Sequence, residues 1–146
     1  MIVSGDLRRE AVELTNAQLI ILAATPVEII PAPGAGLVAV PLQLIARLTR
    51  GTTAYSANRD LRLEYVGSAT NLIQTLSILF ADGAAATRDQ IFHALRASSF
   101  SGGAAFNPSN LAIELTLSSD INNGNASDLL RVSVLYEIVP ASALGY

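Results

Sequence analysis

Four groups of residues have types and spacings that chemistry could use. The fragment Gly34-Ala35-Gly36-Leu37-Val38-Ala39 fits the GxGxx(G/A) pattern of dinucleotide-binding loops. In those loops the glycines follow a strand and open a helix whose N-terminus holds pyrophosphate. Here they follow Pro31 and Pro33 and lead into an apolar run of period two, so a turn is expected and no nucleotide. His93 is the only histidine and the chain has no Cys, which leaves a metal without a ligand set, and no nucleophile elbow accompanies it. It reads as an ordinary surface histidine. Asp120, Asn122, Asn125 and Asp128 offer oxygen ligands within one stretch, but their spacing departs from the EF-hand pattern and lacks its terminal Glu. A plain turn is expected there. Asn125-Ala126-Ser127 fits a glycosylation sequon, which matters only on a secretory route. No catalytic residue, no metal site and no cofactor is expected.

The segments that must position any site are short and alternate. In Thr25 to Thr49 two strand-like stretches meet at a corner of Pro31, Pro33, Gly34 and Gly36, which no regular element tolerates. Beyond the corner Val38, Val40, Leu42, Leu44, Ala46 and Leu48 are all apolar, against Gln43, Arg47 and Thr49, the mark of a strand with one face in a core. The same period of two recurs in Leu61, Leu63 and Tyr65, in Leu111 to Leu117, and in Leu130 to Ile138. Leu72 to Phe80 favours a strand through Leu76, Ile78 and Phe80. Thr15 with Gln18, and Thr87 with Gln90, have capping-box spacing, so a turn or two of helix is expected after Thr15 and a short helix over Arg88 to Ala97. Asn123-Gly124 tolerates positive φ and predicts a hairpin joining the last two strands. Several punctuated strands without βα alternation predict an all-β, antiparallel β-sandwich or barrel with one or two short helices.

Composition bounds the partners. The 146 residues suit one domain. Met1 to Leu14, bearing Asp6, Arg8, Arg9, Glu10 and Glu13, reads as an N-terminal arm at 1–14 with the sandwich at 15–146, and lacks the apolar stretch of a signal peptide. The longest purely apolar run, Leu19 to Ala24, falls short of the roughly 20 residues that span a bilayer as a helix, so no membrane is expected. A net charge of −3 and a pI near 5.0 argue against nucleic acid. Hydrophobic residues make up 51% and charged ones only 14%, which predicts more apolar surface than a monomer hides and therefore a partner. All nine basic residues are Arg, the cation that best tolerates desolvation in an interface, although a GC-rich genome would give the same bias.

Three fragments in order, TPVEIIPAPGAG (Thr25 to Gly36), RGTTAYS (Arg50 to Ser56) and NGNASDLLRVSVLYEIVP (Asn123 to Pro140), resemble the small structural proteins of tailed bacteriophages. The likeness is to cement or decoration proteins on the outside of icosahedral heads. It implies a jelly-roll-like sandwich that binds the major capsid protein at capsomer junctions, on the exterior of a virion assembled in the host cytoplasm. It also implies self-association, a homotrimer favoured over a homodimer, and an arm that clamps neighbouring subunits. The helix-like stretch before Ala97 departs from that pattern. Interface residues on this reading are Ile2, Val3, Arg8 and Arg9 of the arm, Arg50, Tyr55 and Arg59 of one polar loop, and Phe100 and Phe106 of another. The competing readings are a tail- or fibre-associated β module, a carbohydrate-binding module, which the absence of Trp disfavours, and an enzyme.

Overall fold

The computed structural model describes residues 6–68, 71–74, 89–95 and 107–145. Within them the alternating segments become strands: β1 (Asp6–Thr15), β2 (Val27–Ile30), β3 (Leu37–Thr49), β4 (Leu61–Tyr65), β5 (Asn71–Gln74), β6 (Gln90–Leu95), β7 (Ile113–Leu117) and β8 (Leu129–Pro140). They form two four-stranded antiparallel sheets, ordered β1-β8-β3-β6 and β2-β7-β4-β5, referred to below as sheets A and B. The pairing is nested: β1 with β8, β2 with β7, β3 with β6 and β4 with β5, with β3 also against β8 and β4 against β7. This is the double Greek-key wrap of an eight-stranded jelly roll, in which two sheets bury one apolar face each. The all-β sandwich read from the alternation is the fold.

The core is the inward half of each alternation. Leu44, Ala46 and Leu48 of β3 and Leu130, Val132, Val134 and Tyr136 of β8 face Leu61, Leu63 and Tyr65 of β4 and Ile113, Leu115 and Leu117 of β7, all buried. Leu19 and Leu22 close one side from the short helix α1 (Asn16–Ile20) and the turn after it. That helix starts at the expected capping box: Gln18 N–H donates to Thr15 Oγ1 at 3.4 Å and Thr15 N–H to Gln18 Oε1 at 3.0 Å. The Tyr65 hydroxyl crosses the core to donate to the Ala39 carbonyl at 2.6 Å, so the one polar group it carries inward is satisfied.

One phase change runs through β3. Its register against β8 shifts between Pro41 and Gln43, which makes Leu42 the extra residue of a β-bulge. Even positions point inward from Leu44 on, whereas before the bulge Val38, Ala39 and Pro41 are buried and Val40 and Leu42 are only half-buried. Proline has no N–H to give a ladder, and β6 pairs only with Gln43 to Leu48, so Pro41 sits where β3 needs a donor on one side at most.

Three expectations are corrected. Gln90 to Leu95, expected in a helix over Arg88 to Ala97, is strand β6 paired with β3. Six residues with Ile91 and Phe92 satisfy either period, and the open edge of β3 decides between them. The last two strands form no hairpin, since β7 and β8 belong to different sheets and residues 118–128 cross between them. Asn123 and Gly124 do take positive φ, 71° and 75°, but they turn a crossing loop. The stretch expected as an arm is, from Asp6 on, a ten-residue strand paired with β8 along its whole length, because Leu14 and Val12 supply an inward face that β8 can match. Residues 75–80 of the expected Leu72 to Phe80 strand and Thr87 of the second capping box lie outside the described residues, as does most of the loop after Ala97.

The bulge makes a testable contrast. Leu44→Ala should cost about 2–5 kcal/mol in urea unfolding, because the fully buried site leaves a cavity. Leu42→Ala, at the outward bulge, should cost under about 1.5 kcal/mol.

Candidate interaction surface

Of the two loops expected to carry an interface, the one after Arg50 is clasped to the loop before β8, and most of the other, after Ser98, lies outside the described residues. Residues 50–56 leave sheet A after β3, and residues 118–128 re-enter it before β8. Asp128, 1% exposed, lies between them: its Oδ1 accepts from Gly51 N–H at 2.6 Å and its Oδ2 from Asn125 N–H at 3.0 Å. The buried Arg50 side chain places Nε 4.0 Å from Asp128 Oδ2 and its guanidinium 4.9 Å from the centre of the Tyr55 ring. The Tyr55 hydroxyl donates to Asn16 Oδ1 at 2.7 Å. Backbone bonds complete the clasp, Ser56 N–H to the Asn122 carbonyl at 3.0 Å and Gly124 N–H to the Ala54 carbonyl at 3.4 Å. A Cβ on Gly51 would strike the Asn125 side chain and one on Gly124 the Tyr55 ring, so both positions require glycine. Burial pushes the Tyr55 hydroxyl pKa upward, helped by the Asp128 charge. Burial lowers that of Arg50, opposed by Asp128.

This places the expected site residues. Arg50 and Tyr55 are interior groups that hold the loops. Arg59 is half-buried and donates to the Asp120 and Asn58 carbonyls. Arg8 is exposed and paired with Asp6, and Arg9 is exposed with its Nη1 donating to Ser133 Oγ at 2.9 Å. Ile2, Val3, Phe100 and Phe106 lie outside the described residues. His93 is exposed on β6, where its Nε2 accepts from Gln43 Nε2 at 2.8 Å. Gly34 and Gly36, at φ of 112° and 74°, form the expected turn and run into strand β3 rather than a helix. The oxygen-rich loop does not converge on a cation, since Asp128 is turned inward onto backbone N–H groups.

The two outer faces differ in character. On sheet A the cross-strand rows read Ala11, Ser133, Ile45 and His93, then Glu13, Arg131, Arg47 and Ile91. Ile45, Ile91 and Leu7 are 36%, 74% and 60% exposed. The charges of this face are matched within it: Arg131 donates to Glu13 at 2.5 Å, and Arg47 to Asp89 at 3.3 Å. A shallow depression of about 430 Å³ is lined by Ala11, Glu13, Ile45, Arg47, Arg131 and Ser133. The result is a neutral face with apolar side chains standing out of it. The signal for it was present in the odd positions, where Ile45 in β3 and Leu135 in β8 are apolar among polar neighbours.

On sheet B, Glu28, Glu114 and Glu64 stand side by side across β2, β7 and β4. Like charges directly opposite are destabilising. Burial raises the Glu64 pKa, and Glu114 raises it further against the opposing pull of Arg62.

No protein-family model matches the chain, and no curated protein matches it. Among solved structures it is similar to the cyanophage Pam1 capsid asymmetric unit. The similarity extends over 94% of this chain and 88% of that chain, at 14% identity and a TM-score of 0.48. A likeness of that extent assigns neither family nor function.

Two outcomes test these sites. Asp128→Ala leaves a buried guanidinium without its carboxylate and frees two backbone donors, so it should cost about 3–5 kcal/mol in chemical denaturation. A carboxyl whose folded pKa is raised holds its proton more tightly folded than unfolded, so its contribution to stability is present at low pH and lost as pH rises through the raised value. Glu64→Gln should therefore raise Tm at pH 8, with the advantage shrinking as pH falls to the ordinary carboxylate value of 4.5.

Proposed function

We propose that the chain is a structural virion protein of the cement type, which binds the outer surface of an icosahedral phage capsid and stabilises contacts between capsomers. Its partners on this reading are the major capsid protein and further copies of itself, and its location is the virion exterior. The observation that carries the reading is the outer face of sheet A, where Leu7, Ile45 and Ile91 stand exposed among internally paired charges. Such a face gains from meeting a flat protein surface, since burial of each large aliphatic side chain contributes about 1–3 kcal/mol and its charges need no new partners. Repeated by symmetry over a shell, contacts of that size add to a firm hold. The resemblance of the Thr25 to Gly36, Arg50 to Ser56 and Asn123 to Pro140 fragments to decoration proteins supports the same reading. On this reading docking falls to the sheet face, and the clasped loops 50–56 and 118–128 hold the fold.

Purified chain added to heads that lack it should co-sediment with them and raise their melting temperature. Ile45→Glu and Ile91→Glu should each weaken that binding about tenfold or more, Ile91→Glu leaving the isolated chain's Tm nearly unchanged because its side chain is 74% exposed, and Ile45→Glu lowering it modestly because that side chain is 36% exposed. Retention on tails alone, on glycans alone, or binding indifferent to both substitutions would reject the reading.

A further inference from the structure

We propose that the edge of β1 away from β8, unpaired among the described residues, is a self-association site: a second copy adds its own β1 antiparallel, joining two sheets A into one across a two-fold axis at Ala11. The inference does not rest on the capsid reading.

The edges of the two sheets are unequal. Among the described residues β2 has four residues and a register shift between Glu28 and Ile30, β5 has four, and β6 has six. β1 has ten, with no Pro and no register shift against β8. Among the described residues, no backbone hydrogen bond of residues 6–14 runs to any element but β8. A long, regular edge of this kind presents a row of N–H and C=O groups to any strand that matches it, and soluble proteins usually blunt such an edge.

The charges on β1 select both the occupant and the register. For a sheet to continue across a two-fold axis, the same face of both copies must lie on the same side, so the axis passes through a residue and not between two. An axis at Arg8, Arg9 or Glu10 sets that residue against its own copy, a like-charge contact. At Val12 no two charged residues meet. At Ala11, residue i faces residue 22 − i of the second copy. Arg9 then faces Glu13 of the second copy, and Glu13 faces Arg9, on the outer side of the sheet. On the inner side Glu10 meets Val12 and Arg8 meets Leu14, so no like charges meet. Both charged groups can take the second bond. Arg9 gives one of its five donors to Ser133, and Glu13 accepts from Arg131 through one oxygen only. Ala11 at the axis is exposed and small, which lets the two strands approach. Thus β1 is complementary to itself, and the partner it fits is another β1.

The absence of cysteine makes the test direct. Opposite residues of an antiparallel pair have Cα atoms about 4.5–5.5 Å apart, within the roughly 4.4–6.8 Å that a disulfide bridges. Ala11→Cys should form a covalent dimer under mild oxidation about ten times faster than Ile91→Cys, also at an exposed position but on the far edge. Sedimentation of the unmodified chain should show a monomer–dimer equilibrium. Arg9→Glu should weaken it about tenfold, the scale of two cross-strand pairs turned repulsive, and addition of Glu13→Arg should restore it. Unchanged Tm in Arg9→Glu separates lost pairing from lost folding. A chain that stays monomeric at all concentrations, a trimer, or an Ala11→Cys thiol no faster than the Ile91→Cys control would overturn the proposal.

Discussion

One buried carboxylate governs how this chain passes between its sheets. β3 hands over to β4, and β7 to β8, at the same end of the sandwich, and Asp128 sits at the point where the departing and returning loops touch. Two backbone N–H groups and the Arg50 guanidinium converge on it in a site closed to solvent. A pair of that kind repays its desolvation only when its geometry is good and its remaining bonds are made. Its effect is therefore better understood as selection than as strength. A loop that crossed elsewhere would leave a charge buried without its counterpart, and the two close-packed glycines, Gly51 and Gly124, admit no bulkier route.

With the crossings held, alternation in the strands is enough to build the rest. Leu61, Leu63 and Tyr65, or Leu130 to Tyr136, state their own facing, because a slip of one residue would bury Arg62 or Arg131. The features that alternation did not announce are those decided by distant partners. QIFHAL is compatible with a helix or a strand until the edge of β3 is present to claim it. The Asn123-Gly124 turn specifies positive φ but not which strands its chain will join, and here they belong to opposite sheets. A charged N-terminal stretch reads as a tail until β8 offers a continuous ladder. The bulge at Leu42 is signalled only by Pro41, and what it changes is the register of β3 against β8, which turns Ala39 and Pro41 inward in place of Val40 and Leu42.

The candidate site shows the same division. That Arg50 and Tyr55 matter was legible from their types, a cation and an aromatic in a polar loop, but their direction was not, since inward or outward depends on the Asp128 carboxylate 78 positions beyond Arg50. The face proposed for docking lies in the opposite phase of the strands that announced the core. Ile45 and Leu135 are apolar residues on the side where polar ones were expected. Both outer faces are also uneven in charge, neutral on sheet A and carrying a row of three glutamates on sheet B, so the sandwich has one side fit for contact and one that resists it. The jelly roll itself is silent on function. The reading proposed here comes from that asymmetry.

Nested pairing also imposes an order of events during synthesis. Asp6 pairs with Ile138, 132 positions later, so β1 leaves the ribosome well before β8 and must wait for it before its ladder can form. Contacts so distant close slowly. Throughout that interval a ten-residue strand with apolar Leu14 and Val12 waits beside an unfinished sheet, where it can meet other nascent chains. Its density of charge, with Asp6, Arg8, Arg9, Glu10 and Glu13 all within it, keeps that waiting segment soluble until its lawful neighbour arrives.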